Sequence, residues 1–147
     1  MKVVATNRRA RYDYAILETF EAGLVLLGSE VKSLREGQAH LKDAFAHIKD
    51  GELWLVGAHI APYTFSHRGG HEPERTRKLL LNRRQIDRIA GQLAEQGLTL
   101  IPLQIYFKEG KAKVELGLAK GKRSIDKREA IKERDHKREI ERALRRR

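Results

Sequence analysis

From Tyr14 the chain reads YAILETF, in which Ala15, Leu17 and, less regularly, Phe20 alternate with polar positions, the period of a half-buried strand. The following EAGLVLLGSEVKSLREG is ambiguous. Its first part fits a short turn or helix, while Val31, Ser33 and Arg35 alternate with Lys32 and Leu34 and predict a strand ended by Glu36 and Gly37. AFAHIKDGELWLVGAHIAPY is clearer: two alternating runs flank Lys49-Asp50-Gly51-Glu52, and Asp-Gly supplies the positive φ angles of a tight turn, so a hairpin is expected. Residues 66–77, SHRGGHEPERTR, hold two Gly, one Pro and no periodic apolar position, and they predict a mobile loop.

The period then lengthens. Asn82 is a good N-cap with Gln85 three residues on, and Ile86, Ile89, Ala90, Leu93 and Ala94 recur at helical spacing before Gly97. LTLIPLQIYF and KAKVELGLA alternate again around Glu109-Gly110, which predicts a second hairpin. Strands at such short intervals, with one intervening helix, fit an antiparallel barrel better than a parallel sheet, which needs a helix in each crossover. The expected fold is mainly β: a closed antiparallel OB-like barrel of about six strands with flanking helices and a basic C-terminal tail, disordered when free. The barrel is expected over residues 1–118 and the tail over 119–147, without internal repeats.

Charge separates the tail further. AKGKRSIDKREAIKERDHKREIERALRRR carries 13 Lys or Arg against 6 Asp or Glu, so it holds seven of the chain's eleven net positive charges. Ile131 and Ile140 fall on opposite sides of a helix, leaving no apolar stripe to lay on the barrel. The pairs Glu133 with Lys137 and Glu141 with Arg145 add only ~0.2–0.5 kcal/mol each to a helix, against a backbone ordering cost of ~1–2 kcal/mol per residue. Phosphates neutralising its basic rows would change that balance.

The 147 residues suit one domain with an appendage. With no cysteine, a disulfide framework and a thiolate metal site are excluded. No stretch resembles a secretory leader or a membrane span, so a cytoplasmic protein is expected. A pI near 10.1, with clusters NRRAR, RTRK, NRR, KGKR and RRR, favours a polyanionic partner. Nucleic acid comes first and an anionic membrane surface second.

Candidate chemistry is sparse. His67 and His71 are spaced like metal ligands, but two glycines separate them and no third ligand accompanies them. His40, His47, His59 and His136 are scattered, and for His47 and His59, in predicted strands, a hydrogen-bonded structural role is the ordinary reading. Ser29, Ser33 and Ser66 lack a nucleophile-elbow context, and KGK lacks a phosphate-binding glycine loop. No catalytic constellation emerges, and neither an enzyme activity nor a cofactor or metal is expected. NRRARYDY is more informative, because Arg8, Arg9 and Arg11 can hold phosphates while Tyr12 or Tyr14 offers a stacking face. A charged N-terminus with a core tyrosine would read the same way. In RTRKLLLNRRQ, Asn82 is a helix cap by default and a base contact by alternative.

Taken together, NRRARYDY, FEAGLVL-GSEVKSLREG, DGELWL…IAPY, RTRKLLLN and AKGKRSIDKREAIKERD resemble the small protein B family, the SsrA-binding or tmRNA-binding proteins of bacteria. The resemblance implies a non-enzymatic ribosome-rescue factor. Such a factor binds the tRNA-like domain of tmRNA, is linked to elongation factor Tu through alanyl-tmRNA, and reaches stalled ribosomes, where 16S rRNA forms the decoding centre. It implies tmRNA-binding roles for Glu21, Leu80 and Asn82. It further implies that Gly121, Lys122, Ile125, Asp126, Lys127, Arg128, Lys132 and Arg134 belong to a tail that enters the vacant mRNA channel and becomes helical there. Lys32, Arg35, Arg8, Arg9, Arg11 and Tyr12 join the expected RNA-binding set as basic or aromatic neighbours of the matched strings. Two positions depart from the family pattern: Tyr12 stands where histidine is common, and Ile125 where an aromatic residue or histidine is common. A ribosomal or ribosome-assembly protein is the alternative, and a nuclease using His67 and His71 a distant one.

Overall fold

Asp50 and Gly51 adopt φ of 54° and 74° and join the strands Phe45–Lys49 and Glu52–Val56, as their dipeptide dictates. Glu109 and Gly110, with φ of 52° and 77°, do the same for Thr99–Lys108 and Lys111–Gly121. These hairpins anchor a computed structural model that describes residues 1–63 and 71–121. In chain order the elements are β1 (Lys2–Thr6), α1 (Ala10–Asp13), β2 (Tyr14–Leu24), α2 (Gly28–Arg35), β3 (Ala39–His40), β4 (Phe45–Lys49), β5 (Glu52–Val56), β6 (His59–Ile60), β7 (Arg77–Leu80), α3 (Arg83–Gln96), β8 (Thr99–Lys108) and β9 (Lys111–Gly121).

The strands pair in the order β8-β4-β5-β7-β2-β9, and pairing of β8 with β9 turns this antiparallel row into a ring of six. β8 meets β4 at Leu100 and β1 from Gln104 to Phe107, so β1 extends the sheet past the point where β4 departs. A small second sheet pairs β3 with β6. Inward positions of the ring, among them Leu53, Leu55, Leu79, Leu100, Ile105, Leu116 and Leu118, are almost wholly buried, each such side chain contributing ~1.5–3 kcal/mol. Helix α3 forms where the period predicts, with Asn82 Oδ1 accepting from Gln85 N at 2.9 Å and Gly97 in the left-handed region, and it turns Ile89 and Leu93 onto this core.

Three expectations are corrected. Residues 31–35, read as a strand, lie in α2; of the segment before them, read as a short turn or helix, residues 21–24 continue β2 while residues 28–30 open the helix. The inward face of α2 is Glu30, Ser33 and Leu34, a helical spacing in which two of the three members are polar. Apolar periodicity therefore could not register it. Gly37, at φ 72°, ends the helix by donating to Leu34 O at 2.9 Å, while Gln38 donates to Ser33 O at 3.0 Å.

Residues 71–76 of the expected loop of 66–77 form no helix or strand, as read, but its C-terminal end is fixed and not mobile. His71 and Arg77 are buried, and Arg77 opens β7, a strand the pattern did not reveal; residues 66–70 lie outside the described residues. His71 Nε2 donates to Ile60 O, which leaves Nδ1 to accept from the Ser29 hydroxyl, both at 2.8 Å. Finally, His47 does not show the hydrogen-bonded role expected of it, since its buried Nδ1 has no partner among the described residues.

Candidate RNA-binding site

The outward positions of β2, β9, β8 and β1 align in two cross-strand rows. Glu21 faces Glu115, which faces Gln104, which faces Thr6. Beside it, Leu80 of β7 faces Gly23, followed by Lys113, Tyr106 and Val3. Leu80 is 52% exposed, and a Cβ on Gly23 would come within 3.3 Å of it, so the glycine is what lets this leucine lie against the sheet.

Two carboxylates directly opposite one another repel unless they are compensated. The Tyr106 hydroxyl donates to Glu21 Oε2, and Lys108 Nζ lies 3.6 Å from the same oxygen. Gln104 Nε2 donates to Glu115 Oε2 at 3.1 Å, and Arg11 Nη2 stands 3.9 Å from Glu115 Oε1. The Tyr106 hydrogen bond, aided by Lys108 and Lys113, holds the Glu21 carboxyl below its ordinary range against the opposing effect of burial. Burial, then Glu21 and Glu115, pushes the Tyr106 phenol well above its own, so it remains a donor. The face thus presents carboxylate acceptors in fixed orientation within a frame of cations. Such acceptors can take hydrogen bonds from base amino groups while the cations meet phosphate.

Helix α1 brings the N-terminal arginines to this face. Its Ala10 is buried with Ile101, Leu103 and Ala119, flanked by Tyr14 and Ile16. Gly117 lies within this seat, where a Cβ would meet Leu103 Cδ1 at 3.1 Å. Seating Ala10 leaves Arg8, Arg9 and Arg11 outward and Tyr12 75% exposed; Arg9 Nε is 3.9 Å from Asp13. The structure therefore joins Glu21, Leu80 and Arg11 into one region through Glu115 and Gly23.

Lys32 and Arg35 lie elsewhere, on α2. Lys32 Nζ sits 5.5 Å from the Tyr63 ring centroid, and Arg35 Cζ 5.7 Å from that of Phe107, which points to the opposite side of β8 from Tyr106. Asn82 spends its oxygen on the α3 cap. Gly121 ends β9 opposite Tyr14 and lines a cleft of about 730 Å³ with Arg8, Arg9, Lys42 and Phe45. Lys122, Ile125, Asp126, Lys127, Arg128, Lys132 and Arg134 lie outside the described residues.

Sequence reading missed Tyr106, Lys108, Gln104 and Glu115. Their strand alternation was visible, but their role depends on partners supplied by β2. It also read Glu30, Arg75 and Arg77 only as parts of motifs. Arg77 donates to Glu30 Oε2, Ala58 O and Pro73 O at 2.5, 2.8 and 3.0 Å, and Arg75 Nη2 donates to Glu30 Oε1 at 2.7 Å. Burial alone would push the Glu30 carboxyl up, yet Arg75, the Leu27 amide and Arg77 outweigh it and hold it below the usual carboxylate range. No group of three His, Cys, Asp or Glu suited to a metal occurs among the described residues, and no helix there is long and apolar enough to cross a membrane.

Comparison with known proteins identifies the family. The SmpB protein family model matches residues 4–146. The SsrA-binding protein of Sulfurihydrogenibium sp. is 59% identical over 143 residues, spanning 97% of this chain and 94% of that protein. That of Salinispora tropica is 60% identical over 146 residues, spanning 99% and 92%. A solved structure described as "tmRNA-SmpB: a journey to the center of the bacterial ribosome" matches with TM-score 0.67 and 53% identity over 80% of this chain and 82% of that one. With its arginine turn, its paired β2 and β9 face and a family match over nearly its whole length, the chain belongs to the SmpB protein family.

Proposed function

We propose that this protein binds tmRNA, the SsrA RNA, and acts in trans-translation, the rescue of stalled ribosomes. The observation that carries this reading is the 53% identical solved relative, described as SmpB with tmRNA at the centre of the bacterial ribosome. The ring of strands is taken as an OB-like barrel over residues 1–118, whose face bearing Glu21, Leu80, Arg8, Arg9, Arg11 and Tyr12 holds the tRNA-like domain. Asn82 contacts the same RNA from the start of α3, and Lys32 and Arg35 contact it from α2, away from that face. Cations framing a polar sheet support such a role, because they neutralise phosphates while the sheet meets bases and sugars.

The expected tail of 119–147 starts inside β9, so the part that reaches the ribosome begins after Gly121, which stands at its root, and there Lys122, Ile125, Asp126, Lys127, Arg128, Lys132 and Arg134 meet 16S rRNA at the decoding centre and in the empty mRNA channel. A segment charged on all sides suits an RNA-walled channel better than a protein core. Elongation factor Tu is reached indirectly, through alanyl-tmRNA. The protein works by binding rather than catalysis, and such a role places it in the cytoplasm.

The test is to recover the full-length chain from bacterial cells and sequence the RNA that accompanies it. One abundant tmRNA with substoichiometric ribosomal RNA is expected. A chain that stays at one copy per ribosomal subunit through high-salt washing, without tmRNA, would instead be a ribosomal protein.

A further inference from the structure

The outer face of the β4–β5 hairpin departs from the rule that a solvated sheet face carries polar residues. Its outward positions run Phe45, His47 and Lys49 on β4 against Val56, Trp54 and Glu52 on β5. Only the pair nearest the turn, Lys49 with Glu52, is charged. Phe45 is 42% exposed, and its ring centroid lies 6.0 Å from that of His47. His47 faces Trp54, and Trp54 faces Lys78 of β7, so aromatic rings and a cation form one cross-strand row. The indole is held by donation from Nε1 to Lys49 O at 3.3 Å.

Cations border this row. Lys78 Nζ and Arg83 Nη2 both lean on Glu52, at 3.7 and 3.5 Å, so a single carboxylate serves two positive groups. Arg83 also donates to Gly51 O at 2.6 Å, which fixes its guanidinium beside the hairpin tip. Lys49 is exposed at that tip and Arg84 in the first turn of α3. Together Lys49, Lys78, Arg83 and Arg84 outnumber Asp50 and Glu52. Rings at successive outward positions with lysine and arginine alongside are what unpaired bases and their phosphates require.

We propose that this face is a second RNA-contacting surface, taking unpaired bases on Phe45, His47 and Trp54 and their phosphates on Lys49, Lys78 and Arg83. It centres on β4 and β5, which carry none of the Glu21 region, meets that region at β7, where Lys78 and Leu80 share a strand, and rests on the reading of the chain as an RNA-binding protein. Single-stranded RNA fits better than a duplex, because stacking needs base faces that a helix keeps covered. Every base has such a face, so this surface tolerates sequence and adds reach beyond the Glu21 region.

Trp54 is the chain's only tryptophan, so its emission reports on this surface alone. The full-length protein is titrated with a fluorescently labelled, unstructured oligouridylate while anisotropy and Trp54 emission are read in parallel. Quenching of Trp54 that tracks binding is expected, with affinity reduced roughly tenfold in Phe45→Ala, the scale of one lost base stack. A thermal melt establishes that Phe45→Ala is folded, and the wild-type quenching needs no variant. RNA that binds with Trp54 emission unchanged and Phe45→Ala neutral would overturn the surface while leaving the tmRNA reading intact. Failure to bind either the oligonucleotide or tmRNA would overturn both. An emission shift that grows with protein concentration without RNA would assign the face to a second copy of the chain instead.

Discussion

Arg77 donates from Nε to Glu30 Oε2 at 2.5 Å, and neither side chain reaches solvent. The pair joins EVKSLREG to RTRKLLLN, two strings distant in sequence, and fixes where β7 starts relative to α2. Removing Glu30 leaves the buried Arg77 guanidinium without its counter-charge, so Glu30→Met is expected to destabilise the protein by about 3–5 kcal/mol, whereas in Arg77→Met the carboxylate keeps Arg75 and the loss is smaller. The double variant Glu30→Met with Arg77→Met is expected to lose less than the two single losses combined. Urea denaturation of the four proteins measures both.

Acid should act through the same carboxylate. The folded-state pKa of Glu30 lies below its unfolded value, so its stabilisation is complete above the unfolded value and lost as pH falls through the lower one. The thermal midpoint is therefore expected to drop below about pH 4.3, the ordinary glutamate value. In Glu30→Gln the midpoint is lower at neutral pH and its fall in acid is shallower. Glu21 shifts in the same direction but is far more exposed, so it contributes little to this slope.

Tyr106→Phe separates orientation from packing at the proposed RNA face. The ring stays buried, but Glu21 loses the hydrogen bond that most lowers its pKa. Its carboxyl is expected to titrate at higher pH by carbon-detected NMR, and tmRNA affinity to fall by less than in Glu21→Ala. An unchanged affinity beside a shifted carboxyl would mean that the orientation of Glu21 is irrelevant to RNA.

Asn82 can be tested for two duties at once. Asn82→Ala removes the cap on Gln85 N and is expected to cost about 1 kcal/mol. Asn82→Asp keeps the cap and deletes the amide donor. If that amide reaches RNA, the aspartate variant melts like the wild type and still binds tmRNA more weakly. Binding titrations beside thermal melts read the two effects separately.

A chain ending at Gly121 retains β9 complete, including the pairing of Gly121 with Tyr14. It is expected to melt as cooperatively as the full chain and to keep tmRNA binding with a shallower salt dependence. Tagging of stalled nascent chains is expected to be lost. Full tagging by the shortened protein would refute the proposed tail.

Elements stabilised by their own residues were legible in the sequence. The Asp50-Gly51 and Glu109-Gly110 turns and the Asn82-to-Gly97 helix carry their signals locally, and all three form where expected. What could not be read depends on distant partners. α2 hides its inward face behind Glu30 and Ser33, which are tolerable there only because Arg75, Arg77 and Ala61 O satisfy them. β7 begins with a buried arginine for the same reason. At the proposed RNA face, Glu21 and Leu80 were named through family resemblance, whereas Tyr106 and Glu115 become visible only once β8 and β9 lie beside β2.

The seat of Ala10 has a consequence for the protein's own synthesis. Ile101, Leu103 and Ala119, which form it, emerge from a ribosome long after the arginine turn they support. A four-residue helix cannot persist alone, so Arg8, Arg9 and Arg11 remain unplaced until β9 is made. Copies abandoned partway, as broken messages would produce, carry the basic N-terminus without the platform that aims it. On the proposed role of these arginines, incomplete products are poor competitors for the RNA that complete copies hold.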